Sequence, residues 1–515
     1  MAVLLIGPLL LASAWLCLIL PGPARADPPP AHFEVALAAE VFATALAFMG
    51  PRTLEPVATP QLAIWGLRGL SALDPALAAV VQGDALQLTL GERVLTARPL
   101  PAPDDLRGWA NVSALLSQAA WAASAAVRRA GTTGIVQSYF DEMFNHLDPY
   151  SRYVPPGEAS AERERRIGEA SPGLLLGARE DSIFVQGLDP DGPAEAAGVQ
   201  PGDRLLAVDG EAVAHRRLED VARALIGPPG STVTLTFAGR RDRRRTVSLV
   251  RALLPPQTVF AEARGGLLLL RITGFSSDTG QSLARALSLG LQDQVADPRR
   301  PRGVVFDLRG NRGGLLRQAV TVAQTVLSAG IVAVTAGRDP EAGHILRAEG
   351  QDLTGGLPVV VIVDGRTASA AEIVAAALAD QRRAVVVGSA TLGKGLVQTI
   401  SRLPDGGELF ITWSRVLAPQ GWPLQGLGVL PQLCTSLGQA SLERQQAALV
   451  QGRNLLAAAL AQERTARAPV PLSQILAIRG ACPAAEGRDE DVAAAHFLID
   501  SPAAYQAALL PAGVN

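Results

Sequence analysis

The stretch VVVIVDGRTASAAEIVAAALADQRRAVVVGSATLGKGLVQTI, residues 359–400, decides the fold. Its Val and Ile runs at 359–363 and 384–388 have the length and β-branched content of strands, and the Ala-rich segment between them has helical spacing. The same alternation continues upstream. LLLLRITGF (267–275) precedes the helix-like TGQSLARALSLGL (279–291), and GVVFDL (303–308) precedes GLLRQAVTVAQTVL (314–327). Strand and helix in turn over roughly 258–433 predict an α/β core.

Within that stretch, GSATLGKG (388–395) almost spells a phosphate-binding loop, but Gly395 stands where such a loop needs Ser or Thr to hold Mg²⁺. The loop also needs a helix directly after its lysine, whereas GLVQTISRLPDGGELFITWSRV (395–416) reads as strand, turn, strand. Nucleotide binding is therefore set aside. Lys394 is the only lysine among 515 residues, so the other 45 of the 46 basic side chains are arginine. Arginine keeps its charge in proteins, whereas a buried lysine amine can lose its proton. A chain that avoids lysine elsewhere points to a position that needs a deprotonatable amine. Such an amine can take the proton of a serine nucleophile. Ser369 is the candidate, at the turn from strand into helix, where N–H groups and the helix dipole favour a developing oxyanion. Its other reading is a plain helix N-cap, the commonest role for serine at such a spot.

The length predicts about three domains, and 48% hydrophobic with 18% charged residues supports sizeable cores. A formal net charge of −2 gives no electrostatic case for nucleic acid as a partner. The basic run GRRDRRR (239–245) lies between the strand-like TVTLTF and TVSLV and reads as a solvated hairpin tip. No His-x-x-x-His or Cys-x-x-Cys occurs, so no metal and no cofactor is expected. His344 sits in a Gly- and Asp-rich segment that reads as an exposed turn.

Residues 1–26 have an apolar run, then Ala24-Arg25-Ala26, the pattern of a signal-peptidase site, so export is expected. No basic residue precedes that run, which leaves open a misplaced start or an uncleaved membrane anchor. Cys434 and Cys482 are then an even pair in an oxidising compartment: a disulfide, or two separate buried thiols. After the leader come FEVALAAEVFATALAFMG (33–50) and VSALLSQAAWAASAAVRRA (112–130) at helical spacing, with the strand-like ALQLTLGERVLTARPL (85–100) between them. Leu73-Asp74-Pro75 and Leu147-Asp148-Pro149 echo each other, each stopping an apolar helix. GEASAERERRIGEA (157–170) reads as an exposed connector.

Residues 172–250 change texture to short strands separated by Gly and Pro turns, with one helix, RLEDVARALI (217–226). GPAEAAGVQPGDRLLAVDG (192–210) resembles the middle of a PDZ domain. That likeness implies a loop at GLLLG, with Gly173, Leu174, Leu175 and Leu176 receiving a peptide terminus while the peptide extends the sheet edge. Leu175 replaces the loop's usual second glycine.

DGRTASAAEIVAAALADQRRAVVVGSATLGKGLVQTI (364–400) resembles the signature of the C-terminal processing peptidases, also called tail-specific proteases. The resemblance implies a catalytic dyad of Ser369 and Lys394, 394 − 369 = 25 positions apart, and a Gln398 that orients the amine. DLRGNRGGLL (307–316) matches the family's Gly-rich loop and implies an oxyanion hole of the Gly314 and Ala370 N–H groups. LDPYSRYVPP (147–156), the PDZ-like segment and QGLGVLPQ (425–432) follow in family order, so the likeness spans roughly 140–432. Arg366, Leu392 and Gln432 depart from the family's usual residues, and none removes a reacting group.

The expectation is a multidomain α/β chain. Residues 1–26 form a signal peptide, 27–165 an N-terminal helical region, 166–252 a PDZ-like β-rich domain, 253–433 a ClpP/crotonase-like protease core and 434–515 a helical C-terminal tail. Its implied function is a serine endopeptidase of the bacterial periplasm or cell envelope that acts on proteins with apolar C-termini. An adaptor, a homo-oligomer and membrane attachment through the leader are left open. The alternative is a non-catalytic PDZ-containing scaffold that binds peptides.

Overall fold

The computed structural model describes residues 32–179, 182–190, 192–239, 243–292 and 301–511. The expected leader at 1–26 and the basic tip at 240–242 lie outside these residues. At the centre is a six-stranded sheet whose spatial order is Val259–Arg264, Leu267–Ile272, Gly303–Asp307, Val359–Val363, Ala384–Gly388 and Leu433–Cys434. The first pair is antiparallel and the rest are parallel. Every residue of the three strands beginning at 303, 359 and 384 is buried. Burial on both faces is why they read as unbroken apolar runs instead of alternating ones.

The two faces have different covers. Val359, Val361 and Val363 pack toward the helix Ala370–Asp380, while Val360 and Ile362 pack toward Leu442, Leu498 and Tyr505 of the C-terminal tail. That tail is helical as expected, and its role is to close one face of the sheet. The Tyr505 hydroxyl donates to the Val359 carbonyl at 3.0 Å and accepts from the Val359 N–H at 3.1 Å. Cys434, in the last strand, is disulfide-bonded to Cys482, just beyond the helix Leu472–Gly480.

A second, antiparallel sheet has the order His344–Ala348, Gly330–Gly337, Glu408–Leu417 and Leu396–Arg402, with Arg152–Val154 paired to the start of Glu408–Leu417. His344 thus opens a strand, not a turn, although its side chain is exposed. The loop 389–395 leaves the first sheet and enters the second, so Lys394 sits at their junction.

The N-terminal helices Val35–Arg52, Thr59–Arg68, Leu106–Ala123 and Ala125–Phe144 share one core with a three-stranded ribbon spanning Leu77–Pro99. Val35–Arg52 is long and apolar enough to cross a membrane, yet Val41, Phe42, Ala45, Leu46 and Met49 are buried in this core. The run 112–130 read as one helical stretch is two helices. Ser124 separates them: its hydroxyl accepts from the Val127 N–H as an N-cap and donates to Asp74 at 2.6 Å. Asp74 and Asp148, from the two echoing tripeptides, each accept an N–H two residues on, which turns the chain sharply after the helix.

The PDZ-like unit is a sheet in the order Arg244–Val250, Thr232–Ala238, Arg204–Val208, Ser182–Leu188 and Leu174–Arg179, with the helix Leu218–Leu225 packed on it. Leu174–Arg179 is therefore a free edge. The segment 157–170, expected to be an exposed connector, is instead largely the helix Pro156–Ile167, docked on the core. Its charges are not merely solvated: Arg163 and Arg166 donate at 2.9 and 2.6 Å to Glu408, which is only 2% exposed. Arg152 and Arg166 also lie over the Phe410 ring at 4.0 and 5.2 Å. Burial raises the Glu408 carboxyl, but the two guanidiniums outweigh it and hold the group below its ordinary value. Removing one member of a buried ion pair strands the other charge. Glu408→Ala should cost about 3–5 kcal/mol in chemical denaturation and speed proteolysis within 156–167.

Candidate active site

Three loops leave the carboxyl ends of neighbouring parallel strands, the place where open α/β sheets bind ligands. The loop after Gly303–Asp307 carries Gly314, the turn after Val359–Val363 carries Ser369, and the loop after Ala384–Gly388 carries Lys394. Ser369, Ala370, Gly314, Lys394 and Gln398 all line one cleft of about 650 Å³.

Ser369 precedes the helix Ala370–Asp380 with φ of +57°, a backbone conformation that costs a non-glycine residue about 1–3 kcal/mol. Neighbouring bonds hold this sharp turn. Asp364 accepts from the N–H groups of Gly310, Arg366 and Thr367, and the Ala368 N–H donates to the Asn311 carbonyl. Ser369 is the N-cap of this helix and forms a capping box with Glu372, whose carboxylate accepts from the Ser369 N–H at 2.7 Å.

Gly313 and Gly314 have φ of +91° and +147°, and a Cβ on Gly314 would lie 2.2 Å from the Phe275 carbonyl oxygen. A Cβ on Gly313 would meet the Ser369 Cβ at 2.8 Å. Only glycines let this loop run so close to the serine. Phe275 donates to the Gly313 carbonyl and accepts from the Leu315 N–H, a parallel bridge that turns the Gly314 N–H the other way. Among the described residues neither the Gly314 nor the Ala370 N–H has a hydrogen-bond partner, and Ala370, first in its helix, has no intrahelical acceptor.

Glu372 binds the two halves of the site together. It is 0% exposed, and its carboxylate accepts from the Ser369 and Lys394 N–H groups through one oxygen. The other oxygen accepts from the Gly393 N–H at 2.7 Å and from the Thr391 hydroxyl. Burial pushes its pKa up and these donors oppose the rise. The Lys394 side chain is half-buried, with Nζ 4.8 Å from the Tyr150 ring centroid and no hydrogen bond to Ser369. Burial, then the Arg152 guanidinium, push the amine below its ordinary value, against the pull of Asp148 and Glu372.

Gln398 borders the cleft, but its amide donates to Thr412 Oγ1 at 3.1 Å and not to the lysine. Thr412 in turn donates to Asp148 at 2.6 Å. Glu372, Asn311 and Asp148 escaped the sequence reading as site residues. A Ser-x-x-Glu spacing at 369–372, the capping-box pattern, was the available signal for Glu372.

A second cavity, of about 520 Å³, lies between the connector helix, Leu174 and the segment Ala222–Ile226 of the PDZ-like unit. Of the loop residues named above, Leu174 lines it and Leu175 is 60% exposed. Leu176 is packed into the PDZ core, so it has only backbone to offer a ligand. Arg165, Pro256 and Gln257 border both this cavity and the cleft.

The chain matches peptidase family S41 over residues 266–434 and the PDZ domain over 184–239. It is 32% identical over 302 residues to the carboxy-terminal-processing protease of Bartonella bacilliformis, covering 58% of this chain and 69% of that protein. The chain belongs to the carboxy-terminal-processing protease family. It is also 35% identical over 292 residues to the carboxyl-terminal-processing protease of Picosynechococcus, covering 55% and 69% of the two chains. The solved photosystem II D1 C-terminal processing protease overlaps 75% of this chain and 97% of its own at 26% identity, with a TM-score of 0.35. As a member of the carboxy-terminal-processing proteases this protein is a serine-type peptidase with a PDZ domain that binds peptides or proteins. Its bacterial relatives are compatible with export.

Two outcomes follow from the geometry. Glu372→Ala leaves its buried donors unpaired and should cost at least about 3 kcal/mol in chemical denaturation, with peptidase activity lost. Arg152→Ala removes a cation that depresses the Lys394 amine, so the ascending limb of the pH–rate profile should move to higher pH.

Proposed function

We propose that the protein is an exported serine endopeptidase in which Ser369 attacks a peptide carbonyl and Lys394 is the general base. The observation that carries this reading is the convergence of Ser369, Lys394 and the unpartnered Gly314 and Ala370 N–H groups on one cleft. The hydroxyl of Ser369 adds to the carbonyl, its proton passes to the Lys394 amine, and the oxyanion forms between the two N–H groups. Lys394 then delivers the proton to the leaving amine, and water, deprotonated by the same lysine, frees the acyl-enzyme. For the first transfer the amine leaves the Tyr150 face and comes within hydrogen-bond reach of Ser369. Gln398 positions the amine once its amide turns from Thr412.

Each oxyanion donor is worth about 3 kcal/mol, so the placement of the glycine loop counts as much as the dyad. Substrates are proteins with apolar C-termini, read at the free PDZ edge beginning at Leu174. The setting is the bacterial periplasm or cell envelope, with membrane attachment where the leader is retained.

Purified wild type should cut an unfolded protein with an apolar tail, and Ser369→Ala should not, as judged by mass spectrometry of the products. Lys394→Arg should also be inactive despite keeping the charge, because guanidinium does not give up its proton. Appreciable cleavage by Lys394→Arg would remove the lysine from the role of base. In the wild type, the rate should rise with pH through a midpoint below about 10.4, the ordinary lysine value.

A further inference from the structure

The cleft around Ser369 is cationic. Arg152, Arg165, Arg166 and Arg312 line it together with Lys394, against the single carboxylate of Glu162. Some of these charges are committed. Arg166 is paired with Glu408 at 2.6 Å, and Arg152 with Glu162 at 3.1 Å. Arg165, 70% exposed, reaches the same Glu162 only at 3.8 Å. Arg312 is exposed and makes no hydrogen bond or ion pair with any described residue. It also immediately precedes Gly313, where an added Cβ would lie 2.8 Å from the Ser369 Cβ. An arginine with no partner among the described residues therefore lines the cleft two positions before Gly314, with a second, weakly held one on the connector helix.

We propose that Arg312, assisted by Arg165, is a specificity-determining residue that receives a carboxylate of the substrate near the scissile bond. A planar fork of donors matches a carboxylate with two parallel hydrogen bonds. The carboxylate is one that an extended substrate lying in the cleft brings alongside this loop. It can be an Asp or Glu side chain or the free end of the polypeptide. The inference rests on the reading of Ser369, Gly314 and Ala370 as the reacting centre.

The test uses short quenched-fluorescent peptides of alanine and leucine that the full-length wild type cuts. Each is made with Glu or Gln near the cut, and each as free acid or C-terminal amide. The wild type should prefer Glu over Gln, or acid over amide, and the contrast that Arg312→Ala removes identifies the source of the carboxylate. Arg312→Ala should raise KM for the preferred peptide about tenfold more than for its uncharged counterpart, and Arg312→Lys should restore part of the difference. The PDZ groove's own preference for a free terminus is common to wild type and variant, so it cancels in this comparison. Equal KM values across all four peptides in the wild type, or an equal rise for all of them in Arg312→Ala, would overturn the proposal. Cleavage that survives Ser369→Ala would instead bring down the assignment of the reacting centre.

Discussion

The site depends on one buried carboxylate. Glu372 is fully enclosed, yet it receives N–H groups from both the serine turn and the lysine loop, with the Thr391 hydroxyl beside them. An acceptor taken out of water is costly unless its lone pairs are filled, and here they are filled by segments more than twenty positions apart in sequence. The same bonds hold the strained φ of Ser369 and fix where the backbone of Lys394 lies. Ser369 and Lys394 are thereby referenced to a common point in the interior, and neither loop can shift without stranding buried donors.

Around that point the strands supply rigidity. Parallel strands with every side chain buried need a cover on both faces, and the C-terminal helices provide the second. Through Tyr505 the tail is hydrogen-bonded to Val359, at the start of the strand that delivers Ser369. A segment with no recognisable chemistry of its own is thus part of what lets the sheet exist as a buried one.

Much of this was legible in the sequence, for identifiable reasons. Valine runs bounded by glycine and an alanine-rich segment between them specify strand and helix locally, so the core elements fall where the pattern puts them. The lone lysine and the strand-to-helix turn at Ser369 singled out two residues that the fold brings to one cleft, and their spacing matched the family resemblance. What was not legible depends on long-range partners. The connector 157–170 is rich in charge, and charge ordinarily means solvent; only the burial of Glu408, far downstream, reveals that two of its arginines are structural. The break at Ser124 depends on Asp74, fifty positions away. The present bond of Gln398 to Thr412 is likewise fixed by the register of two strands, which local pattern does not encode.

The shared border of the two cavities has a mechanical meaning. Arg165, Pro256 and Gln257 line the Ser369 cleft on one side and the cavity beside Leu174 on the other. A ligand in one cavity that displaced any of these residues would change the affinity of the other, and by thermodynamic reciprocity the effect would be equal in both directions.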